Sequence, residues 1–222
     1  MKLSAETIDV LKNFSTINPS ILVHPGNVLY TCTPKKNMYA KATVKETFSK
    51  EFGIYELNRF LGAISVFPEY ELKFTDKTIK IISENNTLNY TVAEPDVIIY
   101  PSKELNFPAS AEIEFNVKQE NLQKIIRAGS VLQLPDVVAI GKNGRVQLKA
   151  MNIAEEQDEI SVDVGETDKT FTMVFHMENI IKLISSNYNV KISSMGIAKF
   201  VPSPGIVDVY YIATEKNSKM GE

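Results

Sequence analysis

One cysteine, Cys32, and two histidines, His24 and His176, are all that this chain of 222 residues offers of the side chains that build disulfides and zinc sites. A lone cysteine excludes an internal disulfide, and the three residues lack metal-ligand spacing, so a reducing compartment and no metal are expected. Long apolar runs are missing too: no stretch approaches the roughly 18 apolar residues of a membrane span. The opening MKLSAETIDVLKNF has no extended uncharged run after its first lysine, which predicts an unprocessed, soluble cytosolic protein with no membrane partner.

A large charge of either sign is also lacking. The formal charge of -3 excludes a protein coated in basic residues, but it leaves room for a local basic surface. The acids are unevenly spread: Glu155, Glu156, Asp158, Glu159, Asp163, Glu166 and Asp168 crowd one stretch with no base, and without them the formal charge would be +4. Such a run reads as a solvated loop or hairpin.

A catalytic constellation is not found either. GKNGR at 141–145 lacks the GxxxxGK[ST] order of a phosphate loop and reads as a hairpin tip. His24 lies in a turn before a proline, His176 precedes a helix as a boundary residue, and Cys32 fits a buried strand position. Glu155 and Glu156 have no histidine or cysteine nearby. No catalytic residue and no cofactor are expected.

What the chain does contain is a unit of helix, strand, turn and strand, met four times. In residues 118–131, KQENLQKIIRAGSV, a helix sets Leu122, Ile125 and Ile126 on one side; branched strands follow on either side of Asn143-Gly144, the pair best suited to a tight hairpin. Residues 54–82 repeat the order, with Leu57, Phe60, Leu61 and Ile64 as the stripe, strands at 70–74 and 78–82, and a turn at Thr75-Asp76-Lys77. Residues 176–201 carry Met177, Ile180, Ile181 and Ile184 and turn near Ser194-Met195-Gly196. At the start, Ile8, Leu11 and Phe14 precede SILVHPGNVLYTCT, with a turn at His24-Pro25-Gly26.

The anchors Ile8, Leu57, Leu122 and Met177 are 49, 65 and 55 residues apart, a structural repetition with irregular spacing. Further strands fit at 39–44, 87–92, 111–117, 170–175 and 207–213. Globular composition, 44% apolar and 23% charged, and this length suit two domains. The stretch 93–110, with Pro95, Pro101 and Pro108, favours extended backbone and reads as the joint, with a boundary near residue 108.

Away from its apolar stripe each helix presents at least one cation: Lys12 (with Asn13), Arg59, Lys124 and Arg127, and Lys182 (with Asn179). Any surface helix shows charge opposite its core side, and Glu120 with Lys124 is spaced as an ordinary i,i+4 pair. Binding phosphate requires several cations to converge, which a single helical wheel does not display.

Four stretches carry a resemblance: MKLS followed by LKNFSTIN, IYELNRFLGAIS, ENLQKIIR, and the joint ending NFPAS. With the units and the joint, they make nearly the whole chain resemble the DNA polymerase sliding clamps of T-even-type bacteriophages. The resemblance implies an α+β DNA-clamp fold of two similar domains, 1–108 and 109–222, each of two units with helices on one face of antiparallel sheets. It implies a head-to-tail homotrimeric ring around duplex DNA, with Lys12, Arg59, Lys124, Arg127 and Lys182 facing phosphates and the acidic run away from the hole. It also implies a clamp loader, a replicative DNA polymerase that docks a C-terminal peptide in an apolar pocket, late-transcription factors, and the cytoplasm of an infected bacterium. For the pocket, the residues expected are Ile98, Tyr100, Val207, Val209, Tyr210 and Tyr211. The alternative is a non-enzymatic structural or assembly protein of a virus.

Overall fold

The computed structural model describes residues 1–155 and 158–221; Glu156 of the acidic run lies outside the described residues. The chain divides into two compact units, Met1–Glu104 with Ile206–Asp208, and Leu105–Gly205 with Val209 onward. The division falls inside the proline-bearing stretch, four residues before position 108. The return of Ile206–Asp208 to the first unit has no signature in the sequence: Asp208 N–H donates to Lys41 O at 2.9 Å, and its carboxylate accepts from the Thr43 hydroxyl at 2.7 Å.

The first unit runs α1 (Ala5–Ile17), β1 (Ile21–Val23), β2 (Gly26–Cys32), β3 (Met38–Phe48), β4 (Phe52–Ile54), α2 (Leu57–Ser65), β5 (Glu71–Phe74), β6 (Thr78–Ser83) and β7 (Asn86–Thr91). Ser4 caps α1, its hydroxyl accepting from Thr7 N–H at 3.2 Å. The Glu46 carboxylate, arriving from β3, accepts from Ser4 N–H and the Thr7 hydroxyl as well. The helix buries Thr7, Val10, Leu11, Phe14 and Ile17. Ile8, the expected anchor, is only half-buried, because the i, i+3, i+4, i+7 stripe starts one residue earlier, at Thr7.

No hairpin forms at His24-Pro25-Gly26. There β1 pairs with β4 and β2 pairs with β3, because Gly26, at φ 119°, turns the chain away from β1. A three-stranded antiparallel sheet, β5-β6-β7, ends the unit, with Leu72, Ile79 and Ile81 on its buried face. Helix α2 buries Leu57, Phe60 and Ile64 and packs beside α1; Leu61 is half-buried.

The second unit runs β8 (Ile113–Val117), α3 (Gln119–Val131), β9 (Asp136–Lys142), β10 (Arg145–Met151), β11 (Glu159–Glu166), β12 (Phe171–His176), α4 (Met177–Ile180), β13 (Asn187–Ser193), β14 (Ile197–Ser203), β15 (Val209–Ala213) and β16 (Lys219–Met220). One antiparallel sheet has the order β11-β10-β9-β12-β16, and β15-β14-β13-β8 pair in another. The β9–β10 hairpin turns on Asn143 and Gly144, both with positive φ (54° and 80°), as the sequence predicts.

The acidic run and the last helix take forms that the residue pattern left unspecified or misjudged. Most of the acidic run is strand β11, the second arm of a hairpin with β10, which is one of the two forms expected for it. Its count of acids masks a period of two: Ile160, Val162 and Val164 are half-buried between exposed Glu159, Ser161 and Asp163. The expected last helix is a single turn. After Ile180 the bonds tighten to Lys182 N–H to Asn179 O and Leu183 N–H to Ile180 O, so burial follows a step of three through Met177, Ile180, Leu183 and Ser186. Ile181 is therefore 50% exposed, and Asn179, expected to face outward, is 1% exposed.

Burial pushes the Glu46 carboxyl up, but the hydrogen bonds from Thr7 and Ser4 outweigh it and hold the group below the usual carboxylate range. A depressed folded-state pKa contributes stability that is present above the unfolded value and lost as the pH falls through the folded one. Glu46→Gln is expected to destabilise α1 by about 1 kcal/mol at neutral pH. The deficit should shrink as the pH drops below about 4, read as loss of amide-exchange protection in α1. An equal deficit at pH 7 and pH 3 would refute the assignment.

Candidate nucleic-acid surface and strand edges

In the first unit, the two adjacent helices carry Lys12 and Arg59 on their solvent side. Lys12 Nζ lies 3.0 Å from Asp9, and Arg59 lies 3.1 Å from Glu56, both i,i+3 pairs with largely exposed side chains. Exposed pairs of this kind hold weakly, so either cation can exchange its carboxylate for another anion at small cost. The carboxylates also offset the local positive charge one for one.

In the second unit, α3 buries Leu122, Ile125 and Gly129, leaving Ile126 half-buried and Lys124 and Arg127 exposed. Gly129 lets α3 approach α4 closely: a Cβ there would sit 2.3 Å from the Met177 methyl. The expected Glu120–Lys124 ion pair does not form among the described residues, and neither Lys124 nor Arg127 has a carboxylate partner there. Lys182 is half-buried in the turn beyond α4. Of the five expected cations, then, Lys124 and Arg127 are the pair whose charge is neither neutralised nor enclosed.

One polar junction escaped the sequence analysis. The Gln119 and Gln123 side-chain amides both donate to the Ser185 hydroxyl, and Gln119 N–H donates to Asn187 Oδ1 at 2.9 Å. These contacts fasten the first turns of α3 to the segment after α4. Residues 66 positions apart gave no local signal of it.

The residues expected around a partner pocket are mostly spent on packing. Ile98, Val207, Val209 and Tyr210 are buried, whereas Tyr100 and Tyr211 remain half-buried. The Tyr100 ring meets His24 edge-on at 5.8 Å, and Tyr211 stacks with Phe107 at 6.1 Å. Enclosure pushes the Tyr188 and Tyr210 hydroxyls far above their ordinary range, so both act as neutral core groups.

The side chains weighed for catalysis are held structurally. His24 Nδ1 lies 2.8 Å from Glu51, and His176 Nε2 lies 3.2 Å from Glu215. Cys32 is buried, and burial pushes its thiol up against a smaller opposing effect of Lys36, which suppresses thiolate. Among the described residues no group of three or more His, Cys, Asp or Glu could hold a metal, and no helix is long and apolar enough to cross a membrane.

Several strands end a sheet among the described residues. In the first unit β7 pairs with β6 alone, as β5 does with β6 and β2 with β3; in the second β11 pairs with β10 alone, as β8 does with β13 and β16 with β12. Beside β7 runs a groove lined by Tyr55, Arg59, Ala63, Leu88 and Tyr90. Its floor is set by Tyr90, whose ring meets Phe60 at 5.2 Å and whose hydroxyl donates to Glu56 O at 3.1 Å. A row of unpaired N–H and C=O groups is a template for strand addition.

Comparison with known proteins agrees with this geometry. Residues 4–102 match the family model described as DNA polymerase processivity factor, and residues 114–216 match that described as gp45 sliding clamp, C terminal. The chain is 31% identical over 229 residues to the sliding clamp of Escherichia phage RB69, covering 98% of each chain. It is 30% identical over 223 residues to that of Vibrio phage KVP40, covering 97% of this chain and 99% of the relative. Among solved structures, A. fulgidus PCNA bound to the C-terminal region of FEN-1 superposes with a TM-score of 0.72 at 12% identity, covering 98% of both chains. The DNA polymerase III beta subunit of Pseudomonas aeruginosa gives 0.68 at 10% identity, covering 96% of this chain and 63% of that one. These likenesses give the clamp fold, and near-complete coverage of the phage proteins at this identity gives the lineage: the chain belongs to the family of bacteriophage sliding clamps, the DNA polymerase processivity factors.

Proposed function

We propose that this clamp acts as a closed head-to-tail homotrimer that encircles duplex DNA and tethers the replicative polymerase for processive synthesis in the cytoplasm of the infected bacterial host. Its two domains would be 1–108 and 109–222. The observation that carries the proposal is the pairing of features within each unit: a helix bearing exposed cations, and a sheet-end strand with an unpaired edge, β7 in the first and β11 in the second. A head-to-tail join of β7 in one copy to β11 in the next satisfies both edges, and repetition of one such join closes a ring.

Sliding follows from the chemistry of the cations. Contacts to phosphate carry no sequence information, and few of them are needed when topology holds the ring on DNA. Lys12, Arg59, Lys124, Arg127 and Lys182 supply attraction, with Lys124 and Arg127 contributing most because their charge is unpaired. The chain performs no catalysis; an ATP-driven loader would open the ring, and late-transcription factors would use the same platform. From the set Ile98, Tyr100, Val207, Val209, Tyr210 and Tyr211, the partly exposed Tyr100 and Tyr211 are the members able to meet a polymerase peptide.

Native mass in solution tests the ring. A species near three times the 24.9 kDa chain mass that dissociates on dilution is expected; a monomer at every concentration would remove the mechanism. Replacing Lys124 and Arg127 together by alanine should leave the fold intact. It should also lower the slope of log DNA retention against log salt by roughly 1 or more. An unchanged slope would take both residues off the DNA.

A further inference from the structure

The β5-β6-β7 sheet carries a local electrostatic cost. Lys73 stands directly opposite Lys80, and Lys80 opposite Asn89, on the face away from buried Leu72, Ile79 and Ile81. Like charges facing each other across an antiparallel pair destabilise it. Lys73 has only a distant carboxylate, Glu71 at 3.7 Å, and Lys80 has no ion pair among the described residues. This lysine row ends one strand short of the open β7 edge.

The other open edge has the opposite character. On β11, Glu159, Asp163 and Glu166 lie opposite Met151, Gln147 and Arg145, on the face away from buried Val146, Leu148 and Ala150. Arg145 reaches Asp163 at 3.0 Å and Lys149 reaches Glu159 at 2.7 Å; Glu166 has no ion pair among the described residues. The edge stays acidic, with Asp158 and Asp168 exposed just beyond its ends.

We infer that the join between copies is registered by charge: the acidic solvent face of β11 from a second copy lies alongside β7, where Lys80 of β6, with Lys73 of β5 behind it, neutralises it. This rests on the ring proposed above and adds which groups set the strength and register of the join. Strands stand about 4.8 Å apart, so an acid on the added strand is roughly 10 Å of backbone from Lys80, a span that two long side chains close. The half-buried Leu88 and Tyr90 of one edge and Ile160, Val162 and Val164 of the other lie on the opposite faces of their strands, next to the helices, and supply the apolar contact. A period-two strand that slipped by one residue would swap its acids with these apolar groups, so the charges fix the register as well as the affinity. Exposed charges within a Debye length also make the join sensitive to salt.

The test is sedimentation equilibrium of the full chain across a salt series, with Lys80→Glu, with Asp163→Lys and Glu166→Lys together, and with all three changes in one chain. Lys80→Ser serves as a milder variant, and circular dichroism checks that each is folded. At low salt each reversal should raise the concentration of half-dissociation about tenfold, and the combined chain should recover to within about threefold of the unaltered one. A trimer insensitive to salt, or a combined chain as weak as its parents, overturns the charge register and leaves the ring standing. A chain that stays monomeric at every concentration overturns the ring and the register together.

Discussion

Backbone hydrogen bonding between antiparallel strands is the constraint on which the rest of this protein depends. Every strand must satisfy its N–H and C=O groups sideways while burying alternate side chains on one face. In both units the buried face meets a helix, as with α3 on β10 and β11. Sideways pairing runs out at every sheet end, β7 and β11 among them, where only one neighbour is present among the described residues. A sheet can cover its face within one chain, but an open sheet always has an end, and in the proposed ring a second copy of the chain closes it.

The helices inherit their outward chemistry from this arrangement. Once Leu122 and Ile125 are committed to the core, the turn of the helix sends Lys124 and Arg127 to the opposite side. In the proposed ring such a surface would attract a polyanion without reading it. The same economy appears at the acidic strand: its carboxylates are kept on the solvent face, where Arg145 and Lys149 offset part of their repulsion and the remainder stays available for a partner of opposite charge.

Where sequence reasoning failed, the cause was an interaction of long range or a change of period. The acids of residues 155–168 hid the alternation of Ile160, Val162 and Val164 because charge was counted and periodicity was not. The shortening of α4 changed a period of 3.6 into a step of three and moved Leu183 into the place expected for Ile181 or Ile184. The corner at Gly26 looked like a hairpin because proline and glycine mark a reversal without saying which strand will be the neighbour.

The sequence by itself determined the local elements and the lineage: the apolar stripe of α3, the Asn143-Gly144 turn whose positive φ angles few other residue pairs accept, and four stretches between Met1 and Arg127 that resemble phage clamps. These depend on residues within a few positions of one another. Only the tertiary structure decided which strand edges stay open, which cations keep an unpaired charge, and that Asp208 returns to Lys41 and Thr43 of the first unit. Those outcomes depend on partners far apart in the chain, and neighbour identity in a sheet or an ion pair is set by packing that no local pattern encodes.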